Sequence, residues 1–154
     1  MNEKLTPYMG APVEVGTGAN GEIAHARYSA YATQFARQVH AVAPGIWCHV
    51  GACLGNSTLI EGKNGVIVVD TGDCIEQARM HQEDFKRVCD KPVSALLFTH
   101  SHYIYGSRLW VPAGRENEVE VWAHPDLMRN MLRIVSDLSP TFVRRAAIQF
   151  SMFL

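Results

Sequence analysis

The sequence lacks the features that would assign it to a membrane or nucleic-acid-binding class. No apolar run approaches the roughly 18 residues that span a bilayer, and there is no low-complexity tract or internal repeat. The formal net charge is only −1, so the clustered excess of Lys and Arg that phosphate binding needs is missing. These absences argue against a membrane span and against nucleic acid as a partner.

Cysteine is also scarce, with four residues at Cys48, Cys53, Cys74 and Cys89. They show neither C-x-x-C spacing nor the density of a disulfide scaffold. Cys48 and Cys53 are close enough in sequence to bridge a hairpin, but the N-terminus has no apolar segment typical of a secretory signal. Free thiols in a cytoplasmic protein are therefore expected.

The composition is that of an ordinary globular domain. The chain has 154 residues, of which 47% are hydrophobic and 19% charged, and this is enough to bury a real core. Residues 1–24 are rich in Gly and Pro without a hydrophobic period, which predicts a flexible arm. Residues 25–154 are then the folded domain.

Two apolar runs define the predicted centre of the fold. "GVIVVD" (65–70) and "SALLFTH" (94–100) are continuous enough for strands buried on both faces. Between them, an apolar stripe predicts a helix that Asp73 would cap. Strand, helix and strand within about 30 residues indicate a βαβ unit with parallel strands.

Other segments add elements around this unit. Helical spacing over 27–43 predicts a helix that ends at Pro44-Gly45. The runs 45–50, 57–62 and 118–124 predict further strands, with 57–70 forming a β-hairpin. Two amphipathic helices are predicted after Pro125-Asp126 and after Ser139-Pro140.

His100 and His102 are the main candidates for chemistry. They follow directly on a predicted parallel strand, where open α/β sheets place their ligand sites. Alternate side chains point the same way there, so two imidazoles can converge on one metal ion. The competing interpretation is a pair of polar residues that cap a strand.

Asp70 ends the neighbouring predicted strand and can reach the same edge of the sheet. It is the candidate catalytic residue, as a ligand or as the acceptor that orients a ligand imidazole. Alone, it would be interpreted as a turn-forming Asp before Thr-Gly. Tyr103 and Tyr105 form a possible rim for an apolar substrate, or else they pack at the strand end. His124 is assigned to a turn that leads into a helix.

These residues carry a resemblance to a known family. "NSTLIEGKNGVIVVDTG", a helix and "KPVSALLFTHSH" resemble the N-terminal core of the metallo-β-lactamase superfamily, most closely its alkyl sulfatase branch. "WAHPDLMRNMLRIVSDLSPTFVRRAAIQFS" extends the resemblance to cover about residues 30–152. It implies an α/β fold, namely the N-terminal half of an αββα sandwich with a mixed sheet and flanking helices.

The family motif is His-x-His-x-Asp-His, and the sequence matches only part of it. His100 and His102 match its first two histidines, whereas its aspartate and last histidine fall on Ile104 and Tyr105. Isoleucine is no metal ligand and a phenol is a poor one. The resemblance therefore implies at most one Zn²⁺, and its remaining ligands would come from a downstream half that this sequence does not contain.

Three functions remain open from the sequence. The first is a metal-dependent hydrolase that acts on sulfate or other ester bonds of a small molecule, with a reduced site. The second is an inactive fragment or homologue that serves as a binding or dimerisation partner, and the third is an unrelated α/β binding protein. Half of a sandwich exposes an apolar sheet face, so we expect a homo-oligomer or a missing C-terminal half.

Overall fold

The computed structural model describes residues 14–18, 21, 23–32 and 35–149. These fall into two compact units, of which the first takes in residues up to 35 together with 146–149. In it, strands β1 (Val15–Thr17) and β2 (Ile23–His25) pair antiparallel, and helix α1 (Ala26–Ala32) follows directly. A short ribbon therefore lies within the segment predicted as a flexible arm, while residues 1–13 lie outside the described residues.

The second unit, residues 36–145, is built on one six-stranded mixed sheet. The spatial order equals the chain order: β3 (Gln38–Ala43), β4 (Ile46–Val50), β5 (Ser57–Glu61), β6 (Val66–Val69), β7 (Val93–Leu97) and β8 (Glu120–Trp122). From β3 to β6 each strand pairs antiparallel with the next, and β6, β7 and β8 run parallel. The predicted hairpin and βαβ unit are confirmed.

Four helices follow the strands. They are α2 (Ile75–Phe85), α3 (Ser107–Trp110), α4 (Leu127–Val135) and α5 (Ser139–Gln149). Together with the mixed sheet they give an α/β architecture of a mixed sheet with helices, as the resemblance implied. Among the described residues, no helix is long and apolar enough to cross a membrane.

The core lies between α2 and one face of the sheet. Leu59, Val68 and Leu96 are in register on three adjacent strands and are at most 1% exposed. Ala78 and Phe85, two members of the apolar stripe predicted for α2, are buried in the same cluster. Each large apolar side chain buried here contributes about 1.5–3 kcal/mol, so this packing fixes the strand ends where the candidate residues lie.

Two sequence predictions about local structure are wrong. The helix expected over 27–43 ends at Ala32, and Gln38–Ala43 form β3 instead. Gly45 adopts a positive φ of 73°, which makes a tight turn and lets β3 pair with β4. This ladder overrides the helical spacing. Asp73 does not cap α2 either, because the N-cap residue is Cys74 and makes no side-chain cap hydrogen bond.

Candidate active site at the carboxyl ends of β6 and β7

Asp70 occupies a strained position where β6 ends. Its φ is 56°, which few residues other than Gly and Asn adopt. Two contacts hold it there: its backbone N–H donates to Leu97 O at 2.9 Å, and its carbonyl oxygen accepts from Ser57 Oγ at 2.7 Å. The strain turns the chain sharply and brings the carboxylate under the end of β7.

The Asp70 carboxylate binds Thr99, and Thr99 in turn contacts His100. Oδ1 accepts from the Thr99 backbone N–H at 3.0 Å, and Oδ2 accepts from Thr99 Oγ1 at 2.6 Å. The single hydroxyl proton is used on Asp70, so the hydroxyl oxygen at 2.8 Å from His100 Nδ1 accepts the imidazole proton. His100 therefore keeps a lone pair on Nε2, the arrangement that orients a metal-binding histidine.

His102 lies beside His100, with ring centroids 4.9 Å apart. Its ring stacks on Phe142 of α5, at 5.3 Å between centroids and 19° between planes. Its Nε2 is buried and has no hydrogen-bond partner among the described residues. Burial lowers the pKa of His102, and the neighbouring His100 lowers it further, against an opposing effect of Asp73. A buried imidazole nitrogen without a partner is costly, unless a ligand accepts its lone pair.

Asp73, assigned from the sequence only to a helix cap, interacts electrostatically with both candidate histidines. Burial raises the pKa of its carboxyl group, and the nearby imidazoles of His102 and His100 oppose that rise. Its backbone N–H donates to Gln77 Oε1 at 2.7 Å, which holds the turn before α2. An Asp two residues before an apolar helical stripe resembles a cap in any sequence, so no local signal distinguishes its position near the histidines.

Of the two residues that replace the second half of the family motif, Ile104 is part of the packed core and Tyr105 is exposed. Ile104 is only 7% exposed and lies in the main core cluster. Tyr103 is edge-on to His100 at 5.1 Å between centroids, and a methyl group added at Gly55 would lie 2.3 Å from its Cε2 atom. Tyr103 is therefore wedged between the loop before β5 and His100. Tyr105 is 39% exposed and is the more open member of the predicted rim.

The imidazole nitrogens of His100 and His102 could supply two of the ligands of a metal site. Among the described residues, no three His, Cys, Asp or Glu side chains lie close enough together to hold an ion. His100 and His102 supply two imidazoles, one oriented through Thr99 and one with an unpaired buried nitrogen. They fit one side of a tetrahedral site, which needs further ligands. His124 is exposed, and its Nδ1 accepts from the backbone N–H of Asp126 at 3.1 Å, consistent with the predicted turn.

A second group of titratable side chains is buried between β4 and α2. His49 and His81 are both 0% exposed, and their Nδ1 atoms are 2.5 Å apart. His49 Nε2 lies 3.0 Å from Asp84 Oδ2, although too obliquely for a well-formed hydrogen bond, and Arg37 donates to the same oxygen at 2.7 Å. Neither histidine has a recognisable partner pattern in the sequence.

The electrostatics of this group favour neutral imidazoles. Burial, followed by the charges of His49 and Arg37, lowers the pKa of His81 to about 4, and burial also lowers the pKa of His49. Cys53 Sγ lies 3.8 Å from His81 Nε2 and donates to Gly55 O at 2.9 Å, and burial raises its pKa to about 11. One Nδ1–H therefore donates to the other Nδ1, and the two neutral imidazoles form a packed polar pair between β4 and α2. All four cysteines of the chain are free.

Comparisons with known proteins agree with this architecture. The family model for the metallo-beta-lactamase superfamily matches residues 50–130. A linear primary-alkylsulfatase from a Pseudomonas species is 31% identical over 100 residues, covering 62% of this chain. A double mutant of the sec-alkyl sulfatase PisA1 has a TM-score of 0.69 at 20% identity over 88% of this chain. The stereoselective inverting sec-alkylsulfatase Pisa1 from Pseudomonas sp. has a TM-score of 0.63, also at 20% identity, over 78% of this chain.

The matched relatives are much longer than this chain. It spans 19% of the length of the linear primary-alkylsulfatase, and 26% and 23% of the two sec-alkyl sulfatase structures. The structures establish the fold, and the family model covers more than half of the 154 residues. The chain belongs to the metallo-beta-lactamase superfamily, and it is similar to alkyl sulfatases.

Proposed function

We propose that this chain forms the amino-terminal part of a metal-dependent hydrolase that cleaves sulfate or other ester bonds of a small molecule. The observation that carries the proposal is the unpaired, buried Nε2 of His102 beside His100, whose own Nε2 is left free by the contact with Thr99. Zn²⁺ in such a site supplies Lewis acidity towards an ester or sulfate oxygen. The similarity to alkyl sulfatases supports sulfate esters as the substrate class.

Each site residue has a distinct role in this proposal. His100 and His102 hold one ion, and the Asp70 carboxylate acts through Thr99 as a positioning group. Tyr105 and the edge of Tyr103 contact the apolar part of the substrate. The remaining metal ligands come from outside the described residues, either from a further segment of polypeptide or from a second subunit.

Metal analysis of the purified 154-residue chain tests this proposal. We expect zinc in the untreated protein and its loss in both His100→Ala and His102→Ala, because each variant removes half of the donor set. His124→Ala is the matched control, since that histidine is exposed and faces a turn. Release of inorganic sulfate from a primary alkyl sulfate, measured with the same proteins, tests the activity separately. Absence of metal from every preparation would contradict the proposal.

A second function rests on a different observation. The sheet face opposite α2 carries Ile67, Leu97 and Trp122, which are 37%, 40% and 62% exposed. These three side chains lie on the same face. Leu97 pairs with Trp122 of β8 and with Val69 of β6, and Ile67 lies two residues before Val69 on that strand. With Ile104 and Tyr105 in place of the second-metal ligands, an inactive chain that binds a partner through this face is the alternative.

A further inference from the structure

The two candidate histidines are held in different ways. His100 is oriented by a hydrogen bond, since its Nδ1 lies 2.8 Å from Thr99 Oγ1. His102 has a buried Nε2 without a partner, and within the part of the chain that the structure describes no hydrogen bond reaches its ring. Contacts other than hydrogen bonds therefore set the direction in which the His102 nitrogens point.

The backbone of the loop that carries His102 is anchored to the turn after β6. The carbonyl oxygen of Tyr103 accepts from both the backbone N–H and the Oγ1 of Thr71, at 2.8 and 3.1 Å. The Gly106 N–H donates to Gly72 O at 3.2 Å. These contacts place the backbone of His102 but leave its side-chain torsions open. The outer torsion of histidine is broad and roughly two-fold, so a backbone anchor does not select one ring plane.

Three aromatic rings surround the imidazole of His102. Those of His100 and Tyr103 lie 4.9 and 6.1 Å away between centroids, at 71° and 52° to its plane. The ring of Phe142 is nearly parallel to it, with centroids 5.3 Å apart and 19° between the planes. Turning the imidazole out of its plane would drive its edge into the Phe142 ring, so the stacked contact fixes the plane in which Nε2 lies.

Core packing does not explain the position of Phe142. The residue is 40% exposed, and it lies outside the hydrophobic core cluster and outside the partly buried residues packed against that cluster. Helix α5 holds it in place, because its N–H donates to Leu138 O at 2.8 Å in the first turn. A large apolar side chain that stays partly in water and covers one face of a candidate ligand is better explained by that contact than by stability.

We propose that Phe142 is a positioning residue of the candidate metal site, and that its ring holds the imidazole plane of His102 so that Nε2 is presented to the ion. The inference deepens the proposed function and rests on it for the ion. The Thr99 hydroxyl orients His100, and the Phe142 ring orients His102. Helix α5 therefore belongs to the site together with the ends of β6 and β7.

The contact is tested first in the full chain, stripped of metal with a chelator. A long-range ¹H–¹⁵N correlation spectrum resolves the ring protons of the histidines, of which the chain has seven, and His102→Gln assigns the signals of His102. Because the imidazole lies over the face of the Phe142 ring, these signals should be upfield of those of the exposed His124. The upfield shift should decrease clearly in Phe142→Leu and persist in Phe142→Tyr. Val143→Ala, at an exposed neighbouring position of α5, is the matched control and should leave the signals unchanged.

Zinc affinity, measured by competition with a chromophoric chelator, tests the positioning role. Phe142→Leu should weaken zinc binding about two- to ten-fold, which corresponds to the loss of one aromatic pair. Phe142→Tyr keeps the ring and should bind within about two-fold of the unmodified protein. Neither variant should lower the melting temperature of the metal-free protein appreciably, because the side chain is partly exposed. If Phe142→Leu does not fold, Phe142→Met takes its place.

The outcomes separate this proposal from the function on which it rests. Signals of His102 that are the same in the unmodified protein and in Phe142→Leu would overturn the positioning role. Equal losses of zinc affinity in Phe142→Leu and Phe142→Tyr would assign Phe142 to packing alone. Zinc binding that is insensitive to Phe142→Leu would overturn the positioning role and leave the hydrolase proposal standing, whereas absence of zinc from every preparation would overturn both.

Discussion

At the scale of single residues, Thr99 has the most specific role in the candidate active site. Its backbone N–H and its hydroxyl both donate to Asp70, and its hydroxyl oxygen accepts from His100 Nδ1. Through this residue the carboxylate at the end of β6 sets which nitrogen of His100 is free. Replacing a group that orients a metal-binding histidine typically lowers metal affinity by about ten- to a hundred-fold.

The first residue-scale prediction concerns the Thr99 hydroxyl. Thr99→Val keeps the side-chain shape and the backbone contact to Asp70 Oδ1, but it leaves Asp70 Oδ2 and His100 Nδ1 without their shared partner. Zinc affinity, measured by competition with a chromophoric chelator, should fall about ten- to a hundred-fold. Thr99→Ser retains the hydroxyl and should bind within about three-fold of the unmodified protein. Equal losses in both variants would assign Thr99 a packing role alone.

At the scale of elements, the contact between β4 and α2 depends on the His49–His81 pair. Both rings are fully buried and 4.6 Å apart between centroids, and Phe85 of α2 packs against each of them. The groups facing the pair are Asp84 and Cys53, with Arg37 beyond Asp84. With two apolar side chains at these positions, the stability of the contact would not depend on pH. With two imidazoles, it does.

The second prediction is a loss of stability in mild acid. The pKa of His81 is about 4 in the folded protein and near 6.5 when unfolded, so the unfolded chain binds the proton more tightly. The stabilisation from keeping His81 neutral is fully present above pH 6.5. As the pH falls towards 4, the free energy of unfolding decreases by about 3 kcal/mol in total. The lowered pKa of His49 acts in the same direction.

Urea unfolding at pH 7.5, 5.5 and 4.5 measures this effect. The midpoint should fall steadily across the series, and replacing the exposed His124 with Gln should leave the slope unchanged. A free energy of unfolding that stays constant between pH 7.5 and 4.5 would exclude a neutral buried pair.

At the scale of the whole molecule, the two faces of the sheet are unequally covered. Leu59, Val68 and Leu96 are buried under α2, while Leu97 and Trp122 on the opposite face are substantially exposed. Large exposed apolar patches in soluble proteins mark interaction sites. The cost of leaving this face in water is a physical reason to expect a second polypeptide surface against it.

The third prediction follows from that face. In sedimentation experiments, the 154-residue chain should self-associate, and Leu97→Lys should shift it towards the monomer because a buried lysine is costly in an interface. Leu54→Lys is the matched control, since Leu54 is also exposed but lies in the loop before β5. A strictly monomeric chain over the accessible concentration range would contradict the expectation of a homo-oligomer.

Much of the architecture could be derived from the sequence, because it is encoded locally. Continuous β-branched runs defined β6 and β7, and one helical period between them defined α2 and therefore the parallel pairing. That placed Asp70, His100 and His102 at one edge of the sheet. The same residues carried the family resemblance that the comparisons confirm.

Only the tertiary structure decided which side chains meet. His49 and His81 are 32 residues apart in the chain and Asp70 and Thr99 are 29 apart, and no period predicts such a contact. The pairing of β3 with β4 overrode a helical pattern, and the stacking of Phe142 on His102 depended on where α5 lies. The sequence by itself determined most of the elements, although not β3, and it did not show that β6 and β7 leave one face exposed. Packing determined the hydrogen-bond partners, because a side chain's environment is set by the distant segments that fold against it.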